Sequence, residues 1–151
     1  MASDEEVIST LNNLIGTCRD GQEGFRVAAE GVRSAELREL FQAFARQRAN
    51  FVGELQDEVR RLGGDPERTG SLVATLHRGW MGLRAALEGE DDGAVVSECE
   101  RGEDVALANY RTALGTDMPA SVRAMVERQF AEVKEARNLI SNLERGSGAG
   151  A

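Results

Sequence analysis

The chain has little of several residue types, and each shortage narrows what the protein can be. Among 151 residues there are two cysteines, two prolines, one tryptophan, one tyrosine and one histidine. The cysteines, Cys18 and Cys99, form no CxxC motif and fall at core-like positions. We therefore expect buried, reduced thiols and a cytoplasmic protein. A single histidine leaves too few imidazole ligands for the usual di-metal centre of a helical bundle.

Long apolar runs and an excess of positive charge are also missing. No apolar run approaches the ~20 residues that a membrane-spanning helix needs, so we expect no membrane partner. The formal net charge is −8, from 18 Lys and Arg against 26 Asp and Glu. Phosphate binding needs clustered cations, so we expect no nucleic-acid partner. The acidic start MASDEEV has no apolar segment, and we expect no secretory signal there.

What the chain does contain favours helices. Ala, Leu, Glu and Arg are plentiful, and both prolines stand where a helix would begin. Apolar residues recur at spacings of three and four over residues 7–32, 37–62, 96–114 and 122–143, and no segment alternates with a period of two. Ser3 and Ser34 are placed to cap the first two helices, and Asp92 is placed to cap the helix over residues 96–114. Four long amphipathic helices joined by turns are typical of a four-helix bundle.

The segment between the second and third of these helices is too long for a simple turn. SLVATLHRGWMGLRAALEG places Leu72, Leu76, Trp80, Leu83 and Leu87 on one face, and as a helix it spans roughly 27 Å. Such a helix is needed where the second and third core helices run parallel. We therefore predict an all-α, ferritin-like four-helix bundle with an additional crossover helix. Residues 1–145 form the domain, and residues 146–151 form a flexible Gly/Ser/Ala tail.

Polar residues interrupt the apolar seams at one depth of the predicted bundle. Counting from the turns brings together Gln22, Gln47, Arg48, Glu100, Glu103, Gln129 and Glu132. In one interpretation these residues form a buried polar layer, in which Arg48 neutralises Glu100, Glu103 or both and the glutamines complete the hydrogen bonds. No cofactor is then expected.

The alternative interpretation is a metal site. Carboxylates at such positions hold two irons or manganeses in ferritin-like bundles, and Glu100, Glu103 and Glu132 are the candidate ligands. That site also needs Glu-x-x-His motifs, but the residue three positions after Glu132 is Glu135. The only histidine, His77, lies on the predicted crossover helix.

HRGW, residues 77–80, contains the only histidine of the chain. His77 and Trp80 are three residues apart and can stack on one helix face, with Trp80 in the core. A histidine acting as a general base needs a nucleophile or carboxylate within reach, and no known nucleophile or nucleotide motif supplies one. We expect no catalytic residues and no enzyme.

Several segments together resemble a known family, namely CRDGQEGFRVAAE, QRANFVGELQ, LGGDP, HRGWMGL, ECERGEDVALANYRTAL and VERQF. They are similar to a family of small bacterial ferritin-like four-helix-bundle proteins classed as a domain of unknown function, over about residues 6–144. The resemblance implies the fold and suggests a non-enzymatic structural, interaction or stress-related role. The helices themselves suggest a homo-oligomer, because long amphipathic helices often leave a second apolar stripe. Members of that family often carry a histidine near the end of the last helix, where this chain reads KEARNLI.

Overall fold

The computed structural model of the chain describes residues 2–66, 80 and 82–149, with side chains as far as residue 143. Within these ranges the secondary structure is helical and contains no strand. The described helices are α1 (Asp4–Gly31), α2 (Ala35–Arg61), α3 (Leu83–Glu88), α4 (Asp92–Leu114) and α5 (Ala120–Ala149). The prediction of an all-α protein is therefore confirmed.

Short polar side chains begin three of the helices. Ser3 accepts a hydrogen bond from the backbone N–H of Glu6 at 3.2 Å, and Ser34 accepts one from Leu37 at 3.2 Å. These bonds satisfy N–H groups that have no partner within the helix, as the sequence predicts. The N-cap of α4 is Asp91, one residue before the position expected from the sequence.

Asp92, the residue expected to cap α4, has another role. Its two carboxylate oxygens accept hydrogen bonds from the backbone N–H groups of Arg33 and Ser34, each at 2.9 Å. The carboxylate therefore ties the start of α4 to the turn between α1 and α2.

Two apolar clusters fill the space between the four long helices. The lower core is formed by buried residues within 7–18 of α1, 51–59 of α2, 106–113 of α4 and 122–133 of α5, with Met118. The upper core is formed by buried residues within 25–32, 41–44, 95–99 and 136–140, with Leu83 from α3. Each long helix thus contributes one half of its length to the lower core and the other half to the upper core.

The order in which each helix meets the two cores gives its direction. α1 passes from the lower core to the upper core, and so does α5. α2 and α4 both pass from the upper core to the lower core, so they run in the same direction. The end of α2 therefore lies beside the lower core and the start of α4 beside the upper core.

Only part of the connection from α2 to α4 is described. The predicted helix over residues 71–88 is α-helical from Leu83 to Glu88, with Gly82 as its N-cap, so the α-helix does not extend back through Trp80 and Gly82 as predicted. A glycine costs helix stability because it gains backbone freedom in the unfolded chain, and here it marks the boundary. Leu72, Leu76 and His77 lie outside the described residues.

The last helix is longer than the sequence suggests. α5 continues to Ala149 and overlaps the segment 146–151 that the sequence predicts to be a tail. None of the helices in the described ranges has a stretch long and apolar enough to cross a bilayer.

Candidate functional site

A buried ion pair joins α2 to α4 at the boundary between the two cores. The Nη1 and Nη2 groups of Arg48 donate to Oε1 and Oε2 of Glu103 at 2.6 and 2.5 Å. The two side chains are only 1% and 0% exposed. A two-point guanidinium–carboxylate pair of this kind fixes both groups in one geometry.

The local sequence makes room for the arginine. Gly21 on α1 faces the pair, and a methyl group there would lie 3.1 Å from Nη1 of Arg48. The Phe25 ring lies 5.4 Å from the guanidinium carbon, so a cation–π contact supports the charge from one side. The space that the sequence leaves beside the polar layer at Gly21 is therefore used by a side chain of the protein.

Pairing decides the charge state of Arg48. Burial lowers the pKa of this guanidinium, but the charge and hydrogen bonds of Glu103 more than compensate and hold the pKa above its usual value. A buried charge without a partner would be costly, because the protein interior solvates it poorly. The Arg48 guanidinium therefore stays charged, and it is the cation that faces the Glu103 carboxylate.

A second set of hydrogen bonds runs from the lower core to the surface. The Tyr110 hydroxyl lies 3.2 Å from Sγ of Cys18 and donates to Oε1 of Gln129 at 2.8 Å. Nε2 of Gln129 donates to Oε1 of Glu54 at 3.1 Å, and the other Glu54 oxygen pairs with Arg128. Both polar ends of the buried Gln129 amide are thus satisfied.

The thiols and the phenol are held in their neutral forms. Burial raises the pKa of Cys18 to about 11, although the Tyr110 hydrogen bond and the charge of Arg48 oppose the change. Burial also raises the pKa values of Cys99 and Tyr110 well above their usual values. Both cysteines are free and buried, as the sequence predicts. Because the thiolate is the reactive form, neither cysteine is suited to be a nucleophile.

The structure brings together some members of the predicted polar layer. Arg48 pairs with Glu103, and Nε of Arg48 donates to Oε1 of Gln47 at 3.2 Å. Gln129 lies fully buried in the separate Tyr110 network. Gln22 is partly exposed on α1, next to Gly21.

The three candidate metal ligands are not brought together. Glu100 is 25% exposed, accepts from the Ser141 hydroxyl at 2.6 Å and lies 3.8 Å from Arg137. Glu132 is 40% exposed and pairs with Arg128 at 3.0 Å. Glu103 is bound by an arginine instead. Among residues 2–66, 80 and 82–149, no three side chains of His, Cys, Asp or Glu form a group that could hold a metal ion.

Trp80 lies against two glycines and the ring of Phe25. Methyl groups added at Gly24 of α1 or Gly102 of α4 would come closer than 3.0 Å to the indole. The ring meets Phe25 nearly edge-on, with centroids 5.1 Å apart. Trp80 is partly exposed, whereas the sequence placed it in the core. His77, its predicted stacking partner, lies outside the described residues.

Sequence reasoning missed the polar role of Tyr110. The periodicity over residues 96–114 places Tyr110 on the apolar stripe, but its hydroxyl must find a partner when the ring is buried. That requirement was a usable signal, since Gln129 interrupts the facing seam. The roles of Glu54 and Arg128 had no comparable signal, because exposed charged residues on helices are common.

These elements define an all-helical protein in which a buried ion pair and a separate hydrogen-bond network cross the core. The family model described as "Domain of unknown function (DUF2383)" matches residues 6–116, and the chain belongs to this family. No curated protein matches the chain. The predicted membership in a family without an assigned function is therefore confirmed.

Proposed function

We propose that this protein is a non-enzymatic, ferritin-like four-helix bundle of the bacterial cytoplasm, with a structural, interaction or stress-related role. In this proposal the interior maintains the fold, and the protein acts through its surface. The Arg48–Glu103 pair holds the bundle in one arrangement and takes no part in chemistry.

The directions of the helices support the ferritin-like topology. α1 and α5 run one way and α2 and α4 the other, which is the pattern of a bundle with one long crossover. An experimental structure tests this part of the proposal. It should show α2 and α4 parallel with the connection crossing the bundle, and antiparallel α2 and α4 would contradict it.

One observation carries the functional part of the proposal, namely the arginine at the middle of the bundle. Ferritin-like metal proteins use inward carboxylates at this depth to hold two cations. Here the inward carboxylate, Glu103, is neutralised on both oxygens by Arg48. A metal ion at Glu103 would have to displace a guanidinium that is buried and held by two hydrogen bonds.

The rival function is a di-iron or di-manganese bundle using Glu100, Glu103 and Glu132. The test compares melting temperatures of the parent, Glu103→Gln and Glu127→Gln with and without ferrous or manganous ion, under anaerobic conditions for iron. We expect no ion-dependent change in the parent. A rise of several degrees in the parent that disappears in Glu103→Gln would overturn the proposal. Glu127→Gln is the matched control, because Glu127 is not among the candidate ligands and pairs with Arg123 at the surface.

A further inference from the structure

Trp80 occupies a narrow slot between Gly24 and Gly102, where neither helix carries a side chain. Gly24 of α1 and Gly102 of α4 both face the bond shared by its two rings, at distances that leave no room for a methyl group. Each glycine lies inside a long helix, where it costs about 1 kcal/mol relative to alanine. Glycine at both positions thus lowers helix stability, and the indole fills the space that the missing side chains leave.

One aromatic ring, Phe25, connects the slot to the buried ion pair. Trp80 packs on Phe25, Phe25 packs on the Arg48 guanidinium, and Arg48 holds Glu103. Gly102, which contacts the indole, precedes Glu103 in the chain. Trp80 is partly exposed, whereas Arg48 and Glu103 are 1% and 0% exposed. The indole is therefore the outer layer on this side of the pair.

The described element next to Trp80 is weakly anchored. α3 has six residues, its N-cap Gly82 makes no side-chain capping hydrogen bond, and its one buried residue is Leu83. Leu87 adds a contact at Gly31, where a methyl group would also collide. Elements with few buried apolar contacts open at a lower free energy than the long helices around them.

We infer that Trp80 is a removable plug. It leaves the slot together with α3 while the four long helices stay folded, and its departure opens a route from solvent to the upper core and the Arg48–Glu103 pair. The vacated slot is flat, floored by glycine and flanked by Phe25, so it accepts a planar aromatic ring.

A double-mutant cycle tests the contact between the plug and the slot. Gly102→Ala should lower the melting temperature of the parent, because the methyl group collides with the indole. In the Trp80→Ala background the same change should raise the melting temperature by about 2–4 °C, because only the gain in helix propensity remains. Gly53→Ala is the control, since nothing lies within 4 Å of a methyl group there, and it should raise both backgrounds alike. Equal effects of Gly102→Ala in both backgrounds would overturn the inference.

Thiol labelling tests whether the plug controls access. Cys99 belongs to the upper core, against which Trp80 packs, and Cys18 belongs to the lower core. Under native conditions Trp80→Ala should speed the labelling of Cys99 at least ~10-fold more than that of Cys18, at unchanged helix content. Added indole should reverse the effect on Cys99. Equal acceleration of both thiols would show ordinary loss of global stability and would contradict the inference.

A measurement on the parent covers the case in which Trp80→Ala does not fold. In native-state hydrogen exchange, amides of α3 should exchange through a smaller opening than amides in the middle of α4. Exchange of α3 amides only through global unfolding would contradict the inference.

Discussion

Replacing Arg48 by methionine should be among the most damaging single changes in this protein. The substitution keeps most of the volume but leaves the Glu103 carboxylate, 0% exposed, without the two donors that hold it at 2.6 and 2.5 Å. Removing one partner of such a pair costs ~3–5 kcal/mol, because the remaining charge stays buried and unpaired. That is a large part of the 5–15 kcal/mol by which a typical domain is stable.

Removing both charges should cost much less. In Arg48→Met with Glu103→Leu, neither group needs solvation, and replacements of this kind are often neutral or stabilise by ~1–4 kcal/mol. The double variant should therefore be more stable than Arg48→Met. That order is a strong prediction, because independent contributions would make the double variant the weaker of the two.

The assay is urea unfolding followed by circular dichroism, on the parent, both single variants and the double variant. Arg26→Met is the control, since Arg26 pairs with Glu23 at the surface, where both side chains are at least half exposed. Its effect should be much smaller than that of Arg48→Met, because exposed ion pairs contribute little to stability. Additive losses in the cycle, or an effect of Arg48→Met no larger than that of Arg26→Met, would refute the buried-pair reasoning.

Three further predictions rest on other contacts. Tyr110→Phe should cost ~1–3 kcal/mol in urea unfolding, because Gln129 loses the hydroxyl that donates to its Oε1, and no loss would show that this bond is not formed. Between about pH 9 and pH 11 Cys18 should lower stability by up to ~3 kcal/mol, because its pKa is about 11 in the folded protein and the unfolded thiol ionises first. Cys18→Ala should make the fall smaller without abolishing it, because burial also raises the pKa values of Cys99 and Tyr110, and an equal fall without the Cys18 thiol would contradict its assignment. Asp92→Ala should lower stability by ~1–2 kcal/mol, because two backbone N–H groups of the turn between α1 and α2 lose their acceptor, while Asp92→Asn should retain part of it.

Much of the fold could be predicted because it depends on local and periodic signals. Ser3 and Ser34 cap the helices where the sequence places them. Arg48 also stands out in the sequence, since a cation on an apolar seam needs a counter-charge when it is buried. Counting residues from the turns places Arg48 and Glu103 at the same position along the bundle axis.

Other features could not be predicted, because depth along a helix does not give rotation about its axis. Glu100 and Glu103 differ by one turn, yet Glu100 faces Ser141 and Arg137 on α5 while Glu103 faces the interior. Glu132 has the right depth but lies at the surface beside Arg128. These differences depend on how each helix is rotated against its neighbours, and the periodic pattern does not determine that rotation.

The position of Trp80 depends on long-range packing as well. A helical face predicted an indole buried among side chains, but the ring lies on Gly24 and Gly102 from two different helices. Glycines inside helices are the available signal, because they are unfavourable there without a packing reason. The sequence alone does not say which side chain fills the space.

The most direct test of the central claim is the metal content of the protein purified without chelator and then incubated with ferrous or manganous ion. The account predicts less than one ion for every ten chains after desalting, because Arg48 already neutralises Glu103 and no group of metal ligands forms in the described part of the chain. One or two tightly held ions per chain, lost in Glu103→Gln, would contradict it.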